Sequence, residues 1–439
     1  MPHIDTERHA PFHQFPEIPG VFMPLLGYSD RLSAAPGTEL SFLVSTSEPS
    51  PYSAQLVRFH GIDQTTTPIA AREEVIGSAA DGAYAGRYQV LRTGSYLTIP
   101  TPGAPASSGF ALTLWCMPTA PGGRTQVLFE TEPARDEGRF VLSLDDAGHL
   151  QVELTDRAGR LVCLRWPTPV TAGQWIHIQS EIGHDSVRLS IRTAADESNP
   201  DPQRFWVSQH LPRQWSFRPE AITFAGTVAG DNCFNGKIEN PALYTSITAM
   251  NDGGEALAYW DFSRGISSDA VIDRGPHRWH GILVNRPTRA IVGHAWDRVS
   301  VRYTDDPMQW NAIHFHDDDL DDACWSADFT FSVPDLPSGI YAFKLTQDAQ
   351  TEYLPFYVLA PTPGAKVLFI APTNTYAAYA SEHLWEGERG EAHAKLMRGP
   401  IALDKAEVIL ESTRVWVGPS TTSTPTAAAS CMPPNADRW

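Results

Sequence analysis

Two stretches of this sequence carry side chains able to do chemistry. The first closes the segment Lys366-Val-Leu-Phe-Ile-Ala-Pro-Thr-Asn-Thr-Tyr376-Ala-Ala-Tyr379-Ala. With a helix beginning near Thr375, the side chains of Tyr376, Tyr379 and His383 fall at i, i+3 and i+7 on one face, where a metal or a polar substrate can meet all three. The same spacing equally describes aromatic rings packed into a core or against another subunit. The second stretch is Ala312-Ile-His314-Phe-His316-Asp317-Asp318-Asp319-Leu-Asp321-Asp322. On a strand His314 and His316 project to the same face, and the carboxylates that begin at Asp317 can complete a metal site. It is not the twelve-residue calcium loop, which needs a central glycine and a distal glutamate. A wet, turn-forming acidic loop is the plain alternative.

The elements that must position these groups are mostly strands. From residue 88 to 262 apolar and polar residues alternate in Phe110–Trp115, Gln126–Glu130, Phe140–Leu144, Leu150–Leu154, Gln174–Ile178 and Val187–Ile191. Period-two alternation buries one face of each strand and wets the other, the signature of an antiparallel sandwich. Phe224-Ala-Gly and Phe234-Asn-Gly-Lys-Ile-Glu-Asn-Pro-Ala-Leu-Tyr244 resemble the closing strands of laminin-G or concanavalin-like lectin domains. Strand-like text at 21–87 stops short of a sandwich, which needs about 100 residues. It resumes at 290–360, in Arg298–Tyr303, Trp325–Val333, Gly339–Leu345 and Tyr353–Val358.

The expected fold is therefore mainly β and multidomain, an immunoglobulin-like sandwich split into 21–87 and 290–360 with the lectin-like sandwich 88–262 inserted and 263–289 connecting them. Residues 1–20, rich in His and Pro, read as an arm. Residues 361–417 read as the start of an α/β domain, with Val367–Ala371 as a buried parallel strand, and the Ser/Thr/Pro-rich 418–439 as a disordered tail.

Composition narrows the function classes. The chain has 439 residues, 42% hydrophobic and 19% charged, which is ordinary for globular domains. A net charge of −18 with no basic stripe argues against nucleic acid. No apolar run approaches the ~18 residues of a spanning helix, and the amino terminus lacks a signal-peptide pattern, so no membrane and a cytoplasmic location are expected. Five widely spaced cysteines suggest buried free thiols rather than a disulfide framework. Trp260-Asp-Phe262 and His277-Arg-Trp-His-Gly281 can line a sugar groove, although tryptophan also anchors sandwich cores. No G-x-S-x-G, G-x-G-x-x-G, P-loop or H-E-x-x-H motif is present.

Several longer strings carry a resemblance. Gly27-Tyr-Ser-Asp-Arg31, Ala258-Tyr-Trp-Asp-Phe262, His280-Gly-Ile-Leu-Val-Asn-Arg-Pro-Thr-Arg-Ala290, Gly293-His-Ala-Trp296, Ala312–Leu320, Pro337-Ser-Gly-Ile-Tyr341 and Pro372–Ala380 occur in order through nearly the whole chain. Together they resemble the large (beta) subunit of the N,N-dimethylformamidase family. That resemblance implies an amide hydrolase splitting dimethylformamide into dimethylamine and formate, with a mononuclear iron held by tyrosines and a glutamate. It also implies a small (alpha) partner subunit in a hetero-oligomer, and a large carboxyl-terminal α/β domain of glutamine-amidotransferase-like fold. Only Tyr376 and Tyr379 fall where the motif places a tyrosine ligand. After Tyr379 there is neither a tyrosine nor a His-Pro-Glu-Tyr-like stretch, so the α/β domain is expected to be truncated and the active site incomplete. The alternative is a lectin-like binding or subunit-docking module without catalytic activity.

Overall fold

A computed structural model describes residues 25–375, apart from 64–69, 106, 108, 135–137, 156–158, 160, 184, 195–204, 212–217, 363 and 374. The arm at 1–20, the residues after Thr375 over which a helix is expected, including Tyr376, Tyr379 and His383, and the tail at 418–439 lie outside the described residues. The regular structure among the described residues is nearly all strand, with one five-residue helix, Ile247–Asn251, and one 3-10 turn, Pro307–Gln309.

The chain divides into two compact units, one holding Arg92–Asp319 and the other the described residues up to and including Leu91 and from Leu320 onward. In the first, sixteen strands hydrogen-bond into a continuous sheet. Its alternating strands point their apolar side chains inward, so that Phe110 on one part packs 5.1 Å from Phe140 and 6.3 Å from Phe129 on another. Leu112, Leu114, Phe129, Phe140, Leu142 and Ile178 are fully buried in that core. This is the sandwich that the alternation predicts.

It extends further than its alternating segments suggest. Residues 263–289, expected as a connector, supply the strands Ala270–Asp273 and Gly281–Val284, the latter paired antiparallel with Tyr96–Pro100. Each is only four residues long, too short for a period to show. Ala312–Phe315 pairs with both Gly236–Tyr244 and Thr288–Ile291, which brings 290–319 into this unit rather than into the split sandwich. The strand expected at Arg298–Tyr303 is absent because Asp297 Oδ1 accepts the backbone N–H groups of Val299 and Ser300, at 2.8 and 3.0 Å. A carboxylate that captures successive amides competes directly with a ladder.

In the second unit Leu25–Ser29, Glu39–Thr46 and Phe329–Ser332 form one sheet. Tyr52–Asp63, Gly339–Gln347 and Gln350–Val358 form the centre of the other. Phe42, Phe343 and Phe356 meet between them, with Phe42 at 4.7 and 5.7 Å from the other two rings. Strands from before and after the first unit thus share one core. Of the stretch Trp325–Val333 only Phe329–Ser332 is strand. Val367–Ala371, expected as a buried parallel strand, forms none, and Val367, Leu368 and Ile370 are 83, 82 and 76% exposed. It has no paired strand among the described residues, and a parallel strand is stable only when flanked and covered.

Among the described cysteines Cys116 and Cys233 are buried as expected, whereas Cys163 and Cys324 are exposed; all four are free thiols.

Candidate functional site

The His-Phe-His-Asp segment is the part of the predicted chemistry that the described residues contain. Ala312–Phe315 lies between two strands, and His314 faces Lys237 on one side and Thr288 on the other. Period two puts His314 and His316 on the same face, and their rings approach to 3.9 Å between centroids. Directly beyond, the chain turns, and segment 93–95 clamps that turn. Gly94 N–H donates to Asp319 O at 2.8 Å, Ser95 N–H to His316 O at 2.8 Å, and Thr93 Oγ1 to Asp317 O at 3.0 Å.

The turn sends Asp317 and Asp319 to different partners. Asp317 points to Arg124, whose Nε and Nη2 donate to its Oδ2 at 3.0 and 2.7 Å. Asp319 is 1% exposed and accepts from Ser95 Oγ at 2.6 Å. Its Oδ2 lies 3.5 Å from His316 Nδ1, an electrostatic contact rather than a tight hydrogen bond. His314 Nε2, His316 Nδ1 and Asp319 Oδ1 have no hydrogen-bond partner among the described residues.

This arrangement splits the two imidazoles electrostatically. Burial, reinforced by His316 and Lys237, pushes the pKa of His314 down to about 3, so its ring is neutral. Burial also disfavours charge on His316, but Asp319, backed by Asp318 and Asp317, outweighs it and holds that pKa above its ordinary value. With the rings this close, a proton on one disfavours a proton on the other.

The structure separates Asp317 from His314 and His316, the residues named with it as alternative metal ligands. The Asp317 carboxylate is neutralised by Arg124 instead of joining the imidazoles. Among the described residues no group of three His, Cys, Asp or Glu side chains converges to hold a metal ion. Asp319, the carboxylate that does approach His316, carries no local signal that separates it from its neighbours. Its inward orientation is set by Ser95, 224 residues away in sequence.

A second polar cluster was not singled out from sequence. Glu239, 2% exposed, accepts both the backbone N–H and the Nδ1 of His294, at 2.7 and 2.8 Å. The His294 ring stacks on Trp115 at 3.8 Å and 12°, and Arg192 lies 5.7 Å over the same indole. The close approach requires a glycine before His294, since a Cβ on Gly293 would sit 2.6 Å from the Glu239 carboxylate. Trp115, a half-buried aromatic on the outer sheet face, is therefore covered by the chain itself. The proposed sugar-lining tryptophans are also withdrawn from solvent, with Trp260 at 0% and Trp279 at 6% exposure. Trp260 Nε1 donates to Trp279 O at 2.8 Å, so the pair anchors the core.

Comparisons with known proteins bear out the resemblance read from the sequence. Residues 288–429 match the family described as N,N-dimethylformamidase beta subunit-like, C-terminal. Residues 91–251 match the concanavalin A-like lectin/glucanases superfamily. The N,N-dimethylformamidase beta subunit of Paracoccus aminophilus is 34% identical over 403 residues, covering 82% of this chain and 52% of that protein. The beta subunit from Alcaligenes sp is 30% identical over 402 residues with the same two coverages. The chain thus spans about half the length of the curated relatives it matches. Among solved structures, the LG1-3 region of the laminin alpha2 chain is 13% identical with a TM-score of 0.29, covering 35% of this chain and 31% of that one. No helix among the described residues is long and apolar enough to cross a membrane.

Proposed function

We propose that this chain is the large-subunit component of an iron-dependent amidohydrolase that cleaves N,N-dimethylformamide to dimethylamine and formate. The observation that carries this reading is the similarity to two dimethylformamidase beta subunits over 82% of the chain. The family match at 288–429 spans Tyr376 and Tyr379, and these are the side chains of this chain that we assign to the iron. Phenolates are hard anionic donors suited to such a metal. When bound, the metal supplies Lewis acidity toward the formyl oxygen of the amide. The glutamate that the resemblance implies as a further ligand is not identified in this chain.

In the same reading the second unit is an immunoglobulin-like sandwich, and residues from 361 onward open an α/β domain of amidotransferase-like fold. The whole works in the cytoplasm as a hetero-oligomer with a small alpha subunit. The covered indole of Trp115 and the buried Trp260 and Trp279 weigh against the competing lectin-like module, because a sugar platform needs an open aromatic face.

The test is optical. The purified full chain is titrated with ferric ion, and a visible phenolate-to-metal absorption band is expected that disappears in the Tyr376→Phe, Tyr379→Phe double variant. A chain that gives no band, or a band indifferent to the double substitution, would remove these tyrosines from the iron. Formate release from dimethylformamide by the iron-loaded chain with its small subunit tests the amide chemistry separately.

A further inference from the structure

We propose that the open cavity of the first unit between segments 255–259 and 274–278 binds a small organic monocarboxylate. This inference stands apart from the amidohydrolase reading and uses none of its residues.

One buried carboxylate builds the wall that carries the binding groups. Asp273, 0% exposed at the end of Ala270–Asp273, accepts the backbone N–H groups of Tyr259 and Gly275 on Oδ1 at 2.9 and 2.7 Å, and that of Trp279 on Oδ2 at 2.8 Å. Arg274 N–H donates to Tyr259 O at 2.8 Å, which fastens the loop to the strand Ala258–Asp261. Gly275 seats against the start of that strand, since a Cβ there would stand 2.5 Å from Leu257 O and 2.8 Å from Ala258 Cα. Trp279, 6% exposed, anchors the far end, with its ring stacked on His277 at 4.5 Å. Arg274 and Arg278 therefore leave a frame that is set before any ligand arrives.

Between this loop and 255–259 lies a cavity of about 320 Å³, lined by Arg274, Arg278 and Glu255 and, on its apolar side, by Ala256, Tyr259 and Pro276. That is the lower end of the range for small-molecule sites, roughly 300–1,000 Å³. Its two guanidiniums have donors to spare. Arg274 Nη1 reaches Asp261 Oδ2 at 3.3 Å while its side chain is 54% exposed, and Arg264 Nε shares that oxygen at 3.5 Å. Arg278 makes no side-chain hydrogen bond or ion pair among the described residues. Two like charges lining one cavity repel, and an oxyanion between them replaces that repulsion with charge-assisted hydrogen bonds that suit the guanidinium fork.

Charge sets the class of oxyanion. Arg264, Arg274 and Arg278 against Asp261 and Glu255 leave one formal positive charge, in a chain whose net charge is −18. A single carboxylate balances it, whereas a phosphate dianion adds a further negative charge beside Glu255. The apolar side of the cavity then takes a short hydrocarbon or aromatic body.

Saturation-transfer NMR of the full chain with benzoate as the probe reads the outcome. Saturable transfer is expected, and Arg278→Asn is expected to weaken the apparent Kd at least about tenfold, the loss of a charged hydrogen bond. Asparagine tolerates the left-handed backbone that Arg278 adopts at φ +54°, so thermal unfolding should be unaltered. Glu255→Gln, at an exposed side chain, is expected to tighten binding by removing a carboxylate that repels the ligand's, and it decides the matter even if Arg278→Asn fails to fold. Absence of saturable transfer overturns the proposal, as does binding indifferent to Arg278→Asn or not tightened in Glu255→Gln. Inorganic phosphate that displaces benzoate more readily than acetate does would overturn the carboxylate class.

Discussion

At the scale of single residues, the two adjoining imidazoles of His314 and His316 respond to pH in opposite senses. His314 is neutral in the folded chain, with a pKa pushed down to about 3 from an ordinary 6.5 by burial, His316 and Lys237. The unfolded chain takes up a proton there below 6.5 and the folded chain does not, so stability falls as pH drops from 6.5 toward 3. His316 is the reverse case. Its raised pKa makes its contribution full below 6.5 and lost as pH climbs through the raised value. Chemical denaturation between pH 6.5 and 4.5 measures the first effect. The wild type is expected to lose up to ~1.4 kcal/mol per pH unit through His314 alone, and His314→Asn to flatten that slope by a comparable amount. Identical slopes would mean that His314 is already charged in the folded state, and the neutral ring would have to be abandoned.

At the scale of elements, segment 93–95 locks the 316–319 turn that sends Asp317 and Asp319 to different partners, and Gly94 is its pivot. Its φ of +102° is one that side chains rarely adopt, and an added Cβ would stand 2.5 Å from Cys233 Sγ and 3.2 Å from Asp317 O. Gly94→Ala is expected to destabilise the chain by about 1–3 kcal/mol, read as a lower denaturant midpoint. An unchanged midpoint would show that the clamp is dispensable. This element also separates what could be read from sequence from what could not. Alternation read strands at Phe110–Trp115 and Gln174–Ile178, where the structure has Phe110–Pro118 and Ile176–Ile182, and by the same period it put His314 beside His316. It missed Gly281–Val284, where four residues give no period. It also turned Arg298–Tyr303 into a strand, where the Asp297 carboxylate takes the amides. The choice of Asp319 over Asp317 was illegible because Ser95 and Arg124 decide it, each far away along the chain.

At the scale of the whole molecule, the two units have separate apolar interiors. One gathers Leu97, Phe110, Phe140, Trp260 and Phe315, all between Arg92 and Asp319. The other joins Leu40 and Phe42 to Phe329, Phe343 and Phe356 across the interruption. The two ends of the first unit meet, since Gly94 N–H donates to Asp319 O at 2.8 Å. An insertion whose termini are held together and whose core is its own loses little when excised, because closing its loop costs entropy that the native pairing already meets. Residues 92–319 produced alone are therefore expected to fold, with a β-type circular dichroism spectrum and one cooperative unfolding transition. Dispersed amide signals should accompany them. A fragment that is collapsed but without cooperative unfolding or dispersed signals would mean that the sandwich depends on the chain around it, and the insertion would then be a single folding unit with its host.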